Sequence, residues 1–189
     1  EMEGVLDALH EALRTAGAGR VPLVVSHLKC AGAGTHGRAG ELLDALDHAA
    51  RSAPVACDCY PYAASASTLD VGQVRPGTRV GITWSTPHPE HAGRPLDEIA
   101  RAWSVSEVEA ARRLMPAGAV YHCMREDDVR RILAHPLTMI GSDGLPADPL
   151  PHPRLWGTFP RVLGHYCRDH GLFDLGTAVH RMTGLSAAR

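Results

Sequence analysis

Val24-Val25-Ser26-His27-Leu28-Lys29 and Met139-Ile140-Gly141-Ser142-Asp143-Gly144 decide the reading of this chain. In each, an apolar run stops at a residue that can bind a metal or move a proton, as a parallel barrel presents its catalytic groups at the carboxyl ends of its strands. The run before His27, Val21-Pro22-Leu23-Val24-Val25, is apolar throughout, as expected of a strand buried on both faces of a parallel sheet.

Outward from these two points, strands and helices alternate. Apolar residues three and four apart predict helices over residues 2–15 and 39–52, the first ending near Gly17 and Gly19. A second strand, 54–60, closes on Asp58-Cys59-Tyr60-Pro61-Tyr62, where Pro61 cannot continue a central ladder. Further on come a strand at 119–124, a helix at 126–134 with Asp127 and Asp128 suited to its amino-terminal dipole, a strand at 137–141, and helices at 159–170 and 174–183. This order implies a parallel sheet, with three or four βα units, around half of an eight-unit (β/α)8 TIM barrel.

The alternation breaks at Ala63. Residues 63–96 hold Pro76, Pro87, Pro89 and Pro95 with several glycines, too long and irregular for a connection of the usual ~2–6 residues. An insertion over a functional site is expected there. A short helical piece near Leu96 to Trp103 follows, and Ser104-Val105-Ser106-Glu107 has capping-box spacing for a helix reaching Met115. The expected divisions are therefore residues 1–62, barrel units; 63–124, an insertion or lid with a return strand; and 125–189, final barrel units.

Composition narrows the class of function. The 189 residues are 44% hydrophobic and carry a formal charge of -2 with both signs scattered, so no basic patch invites nucleic acid and no cationic face invites a membrane. No apolar run approaches the ~18 residues of a membrane span, and Glu1-Met2-Glu3-Gly4 is not a secretory leader. Five cysteines without CxxC spacing read as reduced core thiols, which implies a cytoplasmic setting. The expected partner is a small molecule.

His27 and Lys29 are two residues apart at a strand end and project to the same side. A lone strand-end histidine is more often a satisfied core side chain, but the company of Lys29, Tyr60 and Asp143 favours a site. Asp143 could bind metal or take a proton from a metal-activated water, or merely cap the Asp-Gly turn. Tyr60 could donate to the oxygen of a tetrahedral intermediate. Cys57 and Cys59 lack zinc spacing and read as core. His152 and Arg154 could meet a carboxylate or belong to a solvated loop.

Together these segments resemble the N-acyl-D-amino-acid deacylases, or D-aminoacylases, of the amidohydrolase superfamily. The resemblance rests on Ser26-His27-Leu28-Lys29, on Asp58 to Tyr62, and above all on Thr138 to Pro146 with His152-Pro153-Arg154-Leu155-Trp156-Gly157-Thr158-Phe159-Pro160, continuing to Met182-Thr183-Gly184-Leu185-Ser186. It implies a metal-dependent amidohydrolase barrel in which His27 is a ligand to a tightly held zinc. Asp143 would be the catalytic aspartate, passing a proton from water to the leaving amine, and Lys29 and Tyr60 would contact substrate. Ser65 or Ser67, in the insertion, would face it as well. The implied reaction is hydrolysis of N-acyl-D-amino acids to a carboxylate and a free D-amino acid. The resemblance also places a His-x-His pair, a bridging cysteine and another strand-end histidine upstream of Glu1, so the chain is expected to be a central to carboxyl-side barrel fragment, inactive in isolation. The competing expectations are an amidohydrolase acting on cyclic amides or dipeptides, and an inactive fragment that binds no metal.

Overall fold

The computed structural model describes residues 2–188, which divide into two compact units. The first runs through Tyr62, takes in Met124–Asp143 and resumes at Trp156; the second comprises Ala63–Cys123 and Gly144–Leu155.

The first unit is built on a three-stranded parallel sheet. Strands β1 (Leu23–Val25), β2 (Val55–Cys59) and β6 (Thr138–Ile140) lie in the order β1-β2-β6, with Val25 level with Cys57 and Ile140 level with Cys59. β2, in the middle, buries Val55, Ala56, Cys57 and Cys59, as its apolar run requires. Helices α1 (Val5–Gly19), α2 (Ala39–Ala50) and α5 (Glu126–Ala134) turn their apolar stripes inward through Leu9, Leu42, Leu46, Val129 and Ile132. Helix α1 stops where the glycines led one to expect, at Gly19: Arg20 takes the left-handed conformation (φ 52°), and its N–H closes on the Ala16 and Gly17 carbonyls.

Two capping roles emerge only in three dimensions. Asp128, read from sequence as serving the dipole of its own helix, is buried and accepts hydrogen bonds from the Gly37 and Ala39 backbone N–H groups at 2.7 and 3.3 Å, so it caps α2. Arg181, on α7 (Leu175–Met182), donates to the carbonyls of Leu133, Ala134, His135 and Thr138, closing the carboxyl end of α5 and the entry to β6. The helix expected at 159–170 begins earlier, as α6 (Arg154–Arg161), and widens into a π-helical stretch over Val162–Asp169. Pro160 lies inside α6, and its missing N–H already breaks the regular ladder just before that widening.

The second unit departs most from expectation. The supposedly irregular segment holds β3 (Ser65–Thr68) and β4 (Arg79–Ser85), and the strand expected at 119–124 is β5 (Ala117–His122), which pairs antiparallel with both in the order β3-β5-β4. A strand buried on both faces reads the same whichever way its partners run. Gly118 is forced by packing, since a Cβ there would lie 2.5 Å from Thr83 Oγ1. Helices α3 (Leu96–Ala102) and α4 (Glu107–Leu114) complete the unit, with Ser106 rather than Ser104 as the cap of α4: its Oγ accepts from Glu109 N–H at 3.2 Å, while Ser104 sits at φ 54° ending the preceding turn. The loop 144–155, assigned from sequence to the final barrel units, packs here instead, with Thr83 Oγ1 donating to Asp148 at 2.8 Å.

Candidate active site at the strand ends

All three parallel strands point the same way, so the residues that follow their carboxyl ends converge at one rim of the sheet, where open and closed α/β sheets place ligands. His27 comes two residues after β1, Tyr60 directly after β2, and Asp143 three residues after β6. Both His27 (φ 44°) and Asp143 (φ 48°) adopt the left-handed conformation, uncommon outside glycine and concentrated where a fold holds a functional group against backbone preference.

Asp58 holds the end of β1 in place. Its Oδ1 accepts the His27 backbone N–H at 2.7 Å and its carbonyl accepts Leu28 N–H at 2.8 Å, so one residue of β2 holds the turn on which the imidazole stands. The carboxylate also lies against β6: a Cβ on Gly141 would come within 3.0 Å of Asp58 Oδ1, which is why glycine stands before Ser142 and Asp143. From sequence Asp58 had no role of its own. The available signal was a carboxylate one residue inside the end of an otherwise apolar strand.

Lys29 is buried at 5% exposure, and its ammonium lies 2.8 Å from His27 Nδ1, 3.2 Å from the His27 carbonyl, and 5.7 Å from the centre of the Tyr60 ring. A buried lysine so close to an imidazole and a tyrosine face places a cation where an anionic group of a ligand would be met. Tyr60 is itself buried. The structure thus brings His27, Lys29, Asp58 and Tyr60 together, with Asp143 at the adjacent strand end.

Two thiols behind this rim are inert. Burial pushes Cys57 up to about 11, its hydrogen bond with Thr138 only partly opposing this, and burial pushes Cys59 up further. Neither carries appreciable thiolate at neutral pH.

The remaining sequence candidates belong to the second unit. Ser65 and Ser67 share a face of β3, with the Ser65 hydroxyl 3.6 Å from Cys123 Sγ and the Ser67 hydroxyl donating to the Thr68 carbonyl at 2.9 Å. His152 and Arg154 are not in a solvated loop, as one reading allowed: they are 8% and 1% exposed, Arg154 Nη2 donates to the Ala66 carbonyl at 2.8 Å, and His152 Nδ1 accepts the Arg154 backbone N–H at 3.0 Å. Burial, followed by the charges of Arg154 and His122, holds His152 down at about 4.

No family model matches the chain. It is 51% identical over all 189 residues to D-aminoacylase from Alcaligenes xylosoxydans xylosoxydans, of which it spans 39%. The N-acyl-D-aspartate and N-acyl-D-glutamate deacylases of the same organism are 44% and 46% identical, with 38% of each spanned. A solved D-aminoacylase structure, described as defining a novel subset of amidohydrolases, superposes with a TM-score of 0.96 over the whole chain and 40% of its own length. The chain is homologous to one segment of the N-acyl-D-amino-acid deacylase family. The N-acyl-D-glutamate deacylase of Bordetella bronchiseptica, solved with zinc and a phosphonate mimic of the tetrahedral intermediate, gives the same TM-score at 46% identity and 40% of its length. The α/β fold with its parallel sheet is that of the deacylase segment, and the chain spans less than half of the curated relatives it matches.

Proposed function

We propose that this segment carries part of the active site of a zinc-dependent hydrolase that cleaves N-acyl-D-amino acids to a carboxylate and a free D-amino acid. What supports the reading is the set His27, Lys29, Asp58, Tyr60 and Asp143 at the ends of parallel strands, in a chain half identical to a D-aminoacylase over its whole length.

The donors fit zinc in kind, an imidazole nitrogen and a carboxylate oxygen. They are too few in number: among the described residues, neither His27 nor Asp143 belongs to a group of three metal-capable donors. The metal would be held by His27 with ligands from outside these residues, and when bound it would supply a Lewis acid that activates water and polarises the acyl carbonyl. Asp143 accepts the proton from water and returns it to the departing amine. Lys29 meets the carboxylate of the D-amino acid, and Tyr60 donates toward the carbonyl oxygen. Ser65, Ser67, His152 and Arg154 are kept as further substrate contacts, tested by KM in single alanine variants. A reducing cytoplasm fits the reduced thiols of Cys30, Cys57, Cys59 and Cys167, and no described helix is long and apolar enough to cross a membrane.

The deciding experiment uses the full-length protein that contains this segment, assayed on N-acetyl-D-methionine and on N-acetyl-D-glutamate. Asp143→Asn should lower kcat by about 10²–10⁴ with zinc retained, the range for loss of a positioned acid–base group. Turnover of hydantoin or dihydroorotate with both N-acyl-D-amino acids untouched would sink the reading in favour of a cyclic amidohydrolase.

A further inference from the structure

A cluster of side chains in the second unit plays no part in the proposed hydrolysis. His88, Glu90 and His91 leave one tight turn, His88-Pro89-Glu90-His91, with ligand-capable atoms all within 4.8 Å of one another. His88 Nδ1 is 3.2 Å from Glu90 Oε1, and His91 Nε2 is 3.7 Å from the same oxygen. Donors bonded to one zinc-sized ion at about 2.0–2.1 Å and near-tetrahedral angles stand roughly 3.3 Å apart, so the two separations to Glu90 are close to those around a single cation, and the two imidazole donors, within 4.8 Å of each other, would draw together to complete it. Hydrogen bonding accounts for the shorter distance alone, since 3.7 Å is too long.

The turn is braced from behind. Ser85, buried at the end of β4, donates its Oγ–H to the Leu114 carbonyl at 2.6 Å and accepts the His88 backbone N–H at 3.1 Å. His91 N–H closes on the His88 carbonyl at 3.1 Å, and Gly93 N–H reaches back to Ile82 at 2.7 Å. Trp103 packs against both rings, 4.9 Å from each centroid, tilted to His88 and edge-on to His91, which holds the imidazoles in place. The Glu90 side chain is 62% exposed and His88 36%, leaving an open side for water to complete a coordination shell.

We propose that His88, Glu90 and His91 form a binding site for a divalent transition cation of the zinc and nickel class. Two imidazoles and a carboxylate suit those ions, whereas calcium and magnesium want oxygen donors throughout. Arg94 tempers the site. Its Nη1 lies 3.1 Å from His91 Nδ1, and a guanidinium can only donate, so the neutral ring carries its proton at Nε2. Coordination at Nε2 moves that proton to Nδ1, and Arg94 must then swing aside.

The test titrates Ni²⁺ into the full-length protein with its tightly held zinc already in place, following tryptophan fluorescence, which a paramagnetic ion beside Trp103 quenches. Expected are saturable quenching that Trp103→Phe removes, affinity at least about tenfold weaker in His88→Ala and in Glu90→Gln, and tighter binding in Arg94→Ala. His88 and Glu90 are exposed enough for those variants to fold, checked by unchanged circular dichroism. Absence of saturable quenching, parent-like affinity in His88→Ala and Glu90→Gln, or no response to Arg94→Ala would overturn the three-ligand site. The readout is nickel binding, so it stands or falls independently of deacylase activity.

Discussion

At the scale of single residues, Asp58 is the group whose removal is most informative. It touches the backbone of His27 and is placed to act through it, so it is a positioning residue rather than a catalytic one. Asp58→Ala leaves the His27 N–H without its acceptor and lets the imidazole drift, and should weaken zinc binding and kcat in the full-length enzyme by about 10–100-fold with a smaller change in KM. Asp58→Asn keeps an oxygen acceptor at the same point and should restore most of the loss; equal damage from both variants would point to the charge rather than the hydrogen bond. His152 makes a pH prediction. Because its folded value, about 4, lies below the ordinary 6.5, the unfolded chain takes up the proton first, and stability falls as pH drops from about 6.5 to about 4. His152→Gln should flatten the plot of Tm against pH across that window, and an unchanged slope would refute the assignment.

Among the elements, the caps separate local reading from tertiary packing. Capping-box spacing pointed to Ser104 for α4, but the cap is Ser106, whose Oγ reaches the third backbone N–H of the helix. Ser106→Ala should cost about 1 kcal/mol by chemical denaturation, and Ser104→Ala much less. Arg181 is a larger test. It serves four carbonyls from a position 6% exposed, and burial holds its guanidinium below the usual arginine value. Arg181→Ala leaves several of those carbonyls unsatisfied and should destabilise the protein by roughly 2–4 kcal/mol, enough to lower Tm by several degrees.

Over the molecule as a whole, thiol chemistry reports on packing. Cys30, Cys57, Cys59 and Cys123 are buried, with Cys30 raised by desolvation to about 12, while Cys167 is half-exposed. A thiol reagent at neutral pH should modify Cys167 rapidly and the other four only on unfolding; fast reaction of more than one thiol in the native state would contradict the packing. The twist of fate in the middle of the chain is also a matter of scale: Ser65-Ala66-Ser67-Thr68 carries too little apolar signal to read as a strand, and becomes one because β5 supplies its hydrogen bonds.

What the sequence by itself determined is the framework of β1, β2 and β6 with their helices, and the placement of His27, Lys29, Tyr60 and Asp143 at strand ends. Period-two and period-3.6 apolar patterns are local properties, and so is the point where an apolar run stops at a polar residue. Only the tertiary structure decided that β5 turns antiparallel, that Asp128 caps another helix, that Arg154 and His152 are buried, and that Asp58 holds His27. Each of these is a pairing of residues about thirty or more positions apart, or a burial produced by such pairings, and no local pattern in the chain encodes which distant partner a hydrogen-bonding group will meet.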